Sequence, residues 1–201
     1  RAGHHRVMAV TPRAEPSVRG RALIELLAHM NEYQTGLYAE VRGHVPASDL
    51  EVLDSMRPTD WVAASHSRPV IDGIIHELGP RATDLWVSLV GTRLLRTPLL
   101  GGFFDMLVRL GGMSPTRFIK SLPRGWGNAY RDWGDPVVTE LDDRKAQVDF
   151  VNVPPYLFEH RQHWIAVEGA LIGLVNVANE KGEAELHYDP DNRRVRADVR
   201  W

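Results

Sequence analysis

Apolar positions follow a helical period through the first two thirds of the chain and a strand period near its end. Leu23, Leu27 and Met30 stand at i, i+4 and i+7, which marks one face of a helix. Ala47 to Leu53, begun by Pro46 and Ser48, reads as a short helix. After Pro69, residues Ile71, Ile74, Ile75 and Leu78 share a face, and Asp72 and His76 fall on the opposite, solvated side. Pro80 to Arg96 carries Leu85, Trp86, Leu89 and Val90 at helical spacing and is stopped by Thr97-Pro98. Leu99 to Leu110 predicts another apolar helix, closed by Gly111-Gly112. Ser114-Pro115 then supplies an N-cap and a first-turn proline for a helix through Phe118 and Leu122.

Beyond Trp133-Gly134-Asp135-Pro136 the period falls to two. Val137 to Leu141, a polar turn at Asp142-Asp143-Arg144, and Ala146, Val148 and Phe150 alternating with Gln147 and Asp149 predict a hairpin. Val151 and Val153 fall on the opposite parity, which suggests a bulge or a strand end buried on both faces. Tyr156 to about Asn179 reads as one long helix with a seam at Trp164, Glu168, Leu171 and Val175. A second hairpin pairs Ala184, Leu186 and Tyr188 with Val195, Ala197, Val199 and Trp201 across Asp189-Pro190-Asp191-Asn192. The predicted fold class is α+β: a helical N-terminal half packed on an antiparallel sheet of two hairpins connected by one long helix. Residues 1–18 have no sustained period and read as a flexible arm. Residues 19–201 form one domain, helical over 19–133 and strand-strand-helix-strand-strand over 134–201.

The 201 residues suit a single domain. Such a chain buries roughly 70% of its unfolded surface, enough to enclose a small ligand. With 24 basic and 26 acidic residues and a net charge of -2, no basic field points to nucleic acid. The absence of cysteine excludes disulfides, thiolate catalysis, iron–sulfur clusters and cysteine-bound zinc, and fits a cytoplasmic protein. The most apolar stretch, Leu99 to Leu110, is interrupted by Asp105 and Arg109 and falls short of the ~20 residues of a membrane span. The N-terminus does not read as a secretory signal.

Nucleophile-elbow, phosphate-loop, His-Glu-x-x-His and dinucleotide motifs are missing. His160 and His163, with Glu159 or His187, are the best metal candidates in the sequence, but exposed polar residues explain them as well, and no metal is assigned. Glu168 on an apolar seam needs a partner such as an arginine or backbone donors, or faces a ligand's polar group. Gly169 and Gly173 leave a small-residue stripe, expected to lie against the sheet. Phe103, Phe104, Phe118, Trp126, Tyr130 and Trp133 cluster before the sheet, where such residues form core or line a small-molecule cleft.

Several segments carry a family resemblance. They are Pro58 through Trp61, the apolar helix after Pro69, Ser114-Pro115-Thr116-Arg117-Phe118 with Trp126 and Tyr130, and Val151-Asn152-Val153-Pro154. Trp164 through Gly173 and the terminal Val199-Arg200-Trp201 complete the set. From about Gly20 onward the chain resembles a paralogous family of myxobacterial proteins of this length. That family is itself similar to the 4-vinyl reductase domain and the haem nitric-oxide-binding domain superfamily. The resemblance implies helices on an α/β half, often a dimer, with an internal hydrophobic pocket whose occupancy is transmitted. Related sensor domains support the pocket with a cysteine-rich zinc site, which this cysteine-free chain does not carry. Haem-binding relatives use an axial histidine from the helical half; His29, His44, His66 and His76 are present, but none matches that context, and no cofactor is assigned.

The expectation is therefore a non-catalytic sensory or regulatory module that takes a small hydrophobic ligand and signals through a protein partner or a homodimer. The ligand-binding candidates are Phe103, Phe104, Leu107, Phe118, Tyr130, Trp164 and Glu168. A structural interaction protein with a filled pocket is the alternative, and an enzyme or haem sensor a third reading.

Overall fold

The computed structural model describes residues 15–93, 114–178 and 180–201. In chain order it contains β1 (Ser17–Arg19), α1 (Gly20–Tyr33), α2 (Leu37–His44), α3 (Ala47–Ser55), β2 (Trp61–Ala63), α4 (Ala64–Leu78) and α5 (Ala82–Thr92). These are followed by α6 (Pro115–Ala129), β3 (Tyr130–Arg131), β4 (Asp135–Leu141), β5 (Lys145–Val151), α7 (Pro155–Glu159), α8 (Trp164–Val177), β6 (Glu183–Asp189) and β7 (Arg194–Arg200). The expected α+β arrangement is present. The two hairpins join through β5 and β7 into one antiparallel sheet of order β4-β5-β7-β6. Alternation works as read: Ala146, Val148 and Phe150 of β5 and Val195, Ala197 and Val199 of β7 are all buried.

Several expectations are corrected. The long helix does not start at Tyr156. His160, at φ -119 and ψ 62, ends α7, a 3-10 turn over Arg161–His163 follows, and α8 begins at Trp164. The bulge sits in β4, between Val138 and Glu140, while Asn152 at φ 60 turns the chain out of β5. The helix around Pro69 begins five residues earlier, at Ala64; proline inside a helix forfeits one backbone hydrogen bond and here does not mark its start. Ser17 and Val18, assigned to the arm, belong to a small antiparallel sheet of order β2-β1-β3. There the guanidiniums of Arg19 and Arg131 lie 4.2 and 4.3 Å from the Trp61 ring. The predicted helix Leu99–Leu110 lies outside the described residues.

Two faces of α8 hold the domain together. Trp164, Leu171 and Val175 are buried on its predicted seam. The glycine stripe faces α5, not the sheet. A Cβ on Gly169 would stand 2.6 Å from Trp86 Cβ and 2.8 Å from the Thr83 carbonyl; one on Gly173 would stand 2.8 Å from Val90 Cβ. Only glycine lets the two helices approach this closely. Gly173→Val is expected to cost about 1–3 kcal/mol by overpacking. Gly127→Ala on α6, with nothing within 4 Å of the added carbon, should be neutral or stabilising by about 0.5 kcal/mol. Chemical denaturation of both variants checks the contrast.

Candidate functional site

The interior of the domain is organised around Trp133. Asp132 and Gly134, at φ 58 and 96, form a left-handed turn between β3 and β4 that drives the intervening indole inward, to 1% exposure. Gly134 is required there twice, since a Cβ would also lie 2.7 Å from the Val151 carbonyl. Trp126 Nε1 donates to the Gly134 carbonyl at 2.9 Å and braces the turn.

Around Trp133 the rings touch in series. Tyr130 stacks on Trp126 at 4.2 Å and lies 4.7 Å from Trp133. Phe150 bridges Trp126 and Trp164 at 5.0 and 5.2 Å. On the other side, His163 meets Trp133 edge-on at 5.5 Å and Tyr156 at 5.9 Å. Trp164 donates its indole N–H to the Leu157 carbonyl at 3.2 Å. Its neighbours differ: Trp133 Nε1, the Tyr156 hydroxyl and both ring nitrogens of His163 are buried with no hydrogen-bond partner among the described residues. Each such group carries a desolvation cost of roughly 1–3 kcal/mol. Burial, with smaller contributions from His160 and Arg68, lowers the His163 pKa from 6.5 to about 4, so the ring is neutral at physiological pH. Burial also pushes the Tyr156 phenol up and Tyr130 up to about 12.

Trp133 also walls a cleft where α1, α4, α5 and the small sheet meet α8. Its volume is about 60 Å³, and its lining includes Ser67, Trp86, Leu89, Tyr130, Ala166 and Ala170. One water needs roughly 10–15 Å³, and a cavity of roughly 150 Å³ admits benzene. The cleft therefore suits a molecule of a few heavy atoms, or the tip of a longer one.

Of the seven residues expected to bind a ligand, Tyr130 lines this cleft. Trp164 is fully buried one ring away, in contact with Trp133 at 6.2 Å. Phe118 is buried on α6. Glu168 is two residues from both Ala166 and Ala170, hence about 200° round α8 from the cleft wall. It is half-buried, its pKa raised by burial, and its charge is felt by Tyr188 of β6. Phe103, Phe104 and Leu107 lie outside the described residues. The structure thus brings Tyr130 and Trp164 into one ring cluster and sets Glu168 apart from the cleft.

The histidine pair does not converge on a metal. His160 takes a hydrogen bond from Arg68 at 3.2 Å, while His187 pairs with Asp198 at 3.0 Å. Sequence reasoning missed Tyr156 and His163 as interior polar groups. The left-handed Asp-Trp-Gly turn was the available signal for Trp133, but nothing in the spacing announced that its N–H would be left unpaired.

No protein-family model matches the chain, and no curated protein matches it by sequence. Solved structures do. An Fe(II) unliganded H-NOX mutant from K. algicida matches at 11% identity and a TM-score of 0.61, covering 90% of this chain and 95% of that one. An Fe(II)NO H-NOX protein from S. oneidensis matches at 12% identity and a TM-score of 0.57, covering 90% and 97%. An H-NOX mutant from T. Tengcongensis matches at 10% identity and a TM-score of 0.53, covering 90% and 96%.

Haem does not fit the residues described. Nine histidines are present in the chain, and all but His4 and His5 lie in the described segments. His29 is held by Ser88 at 3.0 Å and Glu32 at 3.3 Å, His66 by Asp49 at 2.7 Å, and His44 and His76 by Glu77 at 2.6 and 3.0 Å. His163 alone among them is buried with unpartnered nitrogens, and it is packed between Trp133 and Tyr156 rather than facing the cleft lining. The cleft itself is far below the roughly 300–1,000 Å³ of a site for a larger ligand. What the comparisons establish is architecture: at these identities the chain shares the helices-on-sheet fold of the H-NOX domains.

Proposed function

We propose that this chain is a non-catalytic, small-molecule-binding sensory module whose ligand enters the cleft beside Tyr130 and Trp133. One observation carries the reading: an apolar cleft walled by Trp133 adjoins a buried group of polar atoms, on Trp133, Tyr156 and His163, that lack partners among the described residues. Apolar walls with a few convergent polar groups are the composition of a ligand site. The neutral His163, behind Trp133, both accepts and donates, so a bound water there would link it to the polar end of a ligand in the cleft. The fold supports the reading, because the S. oneidensis neighbour is an H-NOX protein in a defined ligation state.

The ligand sits beside the contact of α5 with α8, the contact that Gly169 and Gly173 make close. Occupancy favours the packing of those helices that leaves the cleft open, and a two-state shift of this kind transmits binding. The receiver is a protein partner or the second subunit of a homodimer. Phe103, Phe104, Leu107 and Phe118 remain candidates to complete the apolar wall, with Trp164 one ring behind Trp133.

Two measurements check the reading. Native mass spectrometry of the purified chain should show a small retained molecule, or dissolved xenon should shift the Trp133 indole N–H signal in NMR spectra; Ala170→Phe, which fills the cleft, should abolish the response. A wild-type chain that responds to neither, with a mass of two chains in light scattering, would instead favour an interaction protein with a filled interior. The second concerns pH. Because the unfolded His163 binds a proton at about 6.5 and the folded one at about 4, stability falls as pH drops through this window, by about 3 kcal/mol. His163→Phe should remove that share of the acid sensitivity, read as the difference between the two proteins' denaturation midpoints at pH 7 and pH 4.

A further inference from the structure

On the outer face of the helical half, His44 ends α2, and His76 and Glu77 lie in the last turn of α4. The crossing that joins them is tight: the Gly73 position sits so close that a Cβ there would be 3.2 Å from Val41 Cγ1 and 3.5 Å from His44 Cβ. Val41 is buried at the same contact, so the two helix ends are fixed relative to each other before any ligand arrives. His44 Nε2 and His76 Nδ1 reach the same carboxylate oxygen, Glu77 Oε1, at 2.6 and 3.0 Å. Their ring centroids are 4.5 Å apart, and the three ligating atoms lie within 4.8 Å of one another.

We propose that His44, His76 and Glu77 form a surface site for a divalent transition-metal ion of the zinc class. Two imidazoles and one carboxylate are a borderline-soft donor set suited to such an ion. Tetrahedral bonds of roughly 2.0–2.1 Å require donor atoms about 3.3 Å apart, which small side-chain rotations reach from the present separations. The rings are 40% and 69% exposed. Each can therefore move its proton to the nitrogen facing water and turn a lone pair toward the ion. Both contributing helices present their C-terminal, partially negative ends, which favours a cation. A cleft of about 290 Å³ lined by His44, Pro46, Arg68, Asp72 and His76 opens beside the three donors and leaves room for water or an outside group in a fourth position. Asp72 stands one turn before His76 and adds negative charge, partly offset by Arg68 at 3.9 Å. The site is separate from the proposed ligand cleft and does not rest on it.

The test is calorimetric titration of zinc chloride into the full chain carrying His4→Ala and His5→Ala, so that the arm contributes nothing. One saturable site per chain is expected, weakened at least tenfold by His44→Ala or by His76→Ala. It should be unchanged by His66→Ala, whose imidazole pairs with Asp49 elsewhere on the surface. Cobalt substituted for zinc should give visible d–d bands that the same two variants lose. Absence of saturable binding, equal affinity in the His44 and His76 variants and the parent, or loss of binding on changing His66 would each overturn the proposal.

Discussion

The close approach of α8 to α5 is the constraint on which the rest of the structure depends. Gly169 and Gly173 allow backbone and Cβ atoms to meet at distances no side chain would tolerate, and this locks the helical half onto the element that roofs the sheet. Opposite that contact, Trp164, Leu171 and Val175 are buried on the seam. One helix therefore belongs to both halves. It meets α5 on one side and β6 and β7 on the other.

The cleft lies at the margin of this contact, where the small stripe continues through Ala166 and Ala170 and the large rings Trp86, Tyr130 and Trp133 cannot fill the corner. In the proposed function, its position is what would give a ligand leverage on the α5–α8 packing. Beside it, the unpaired atoms of Trp133, Tyr156 and His163 represent unfavourable desolvation that a hydrogen-bonding guest would relieve. The surrounding architecture is the one shared with the H-NOX neighbours. In this chain six of the seven described histidines are paired with other protein groups, and His163 alone keeps both ring nitrogens without a partner among the described residues.

Much of the fold was legible in the sequence. Residues Ala146 to Phe150 and Val195 to Val199 alternate without interruption, and a period of two over that length has one solution when a single face is buried. The strands Ser17–Arg19, Trp61–Ala63 and Tyr130–Arg131 are too short to show any period, and their pairing depends on contacts across the whole helical half. The break at His160 falls in the polar run Glu159 to His163, which holds neither proline nor glycine to mark an interruption. The partner of the glycine stripe was misassigned because small residues report that something comes close without reporting what. The site was less legible still. Trp133, Tyr156 and His163 are dispersed along the chain, and the failure of their polar atoms to pair is a property of the packed state alone. His44 meets His76 and Glu77 only through the α2–α4 crossing.

The central claim, that this interior receives a guest, is tested most directly by diffraction from crystals of the full chain grown without added ligand. The account predicts bounded electron density in the cleft or against it, within hydrogen-bonding distance of Trp133 Nε1, the Tyr156 hydroxyl or a His163 nitrogen. A cleft closed by side chains, with those three residues paired to the protein's own groups, would contradict it.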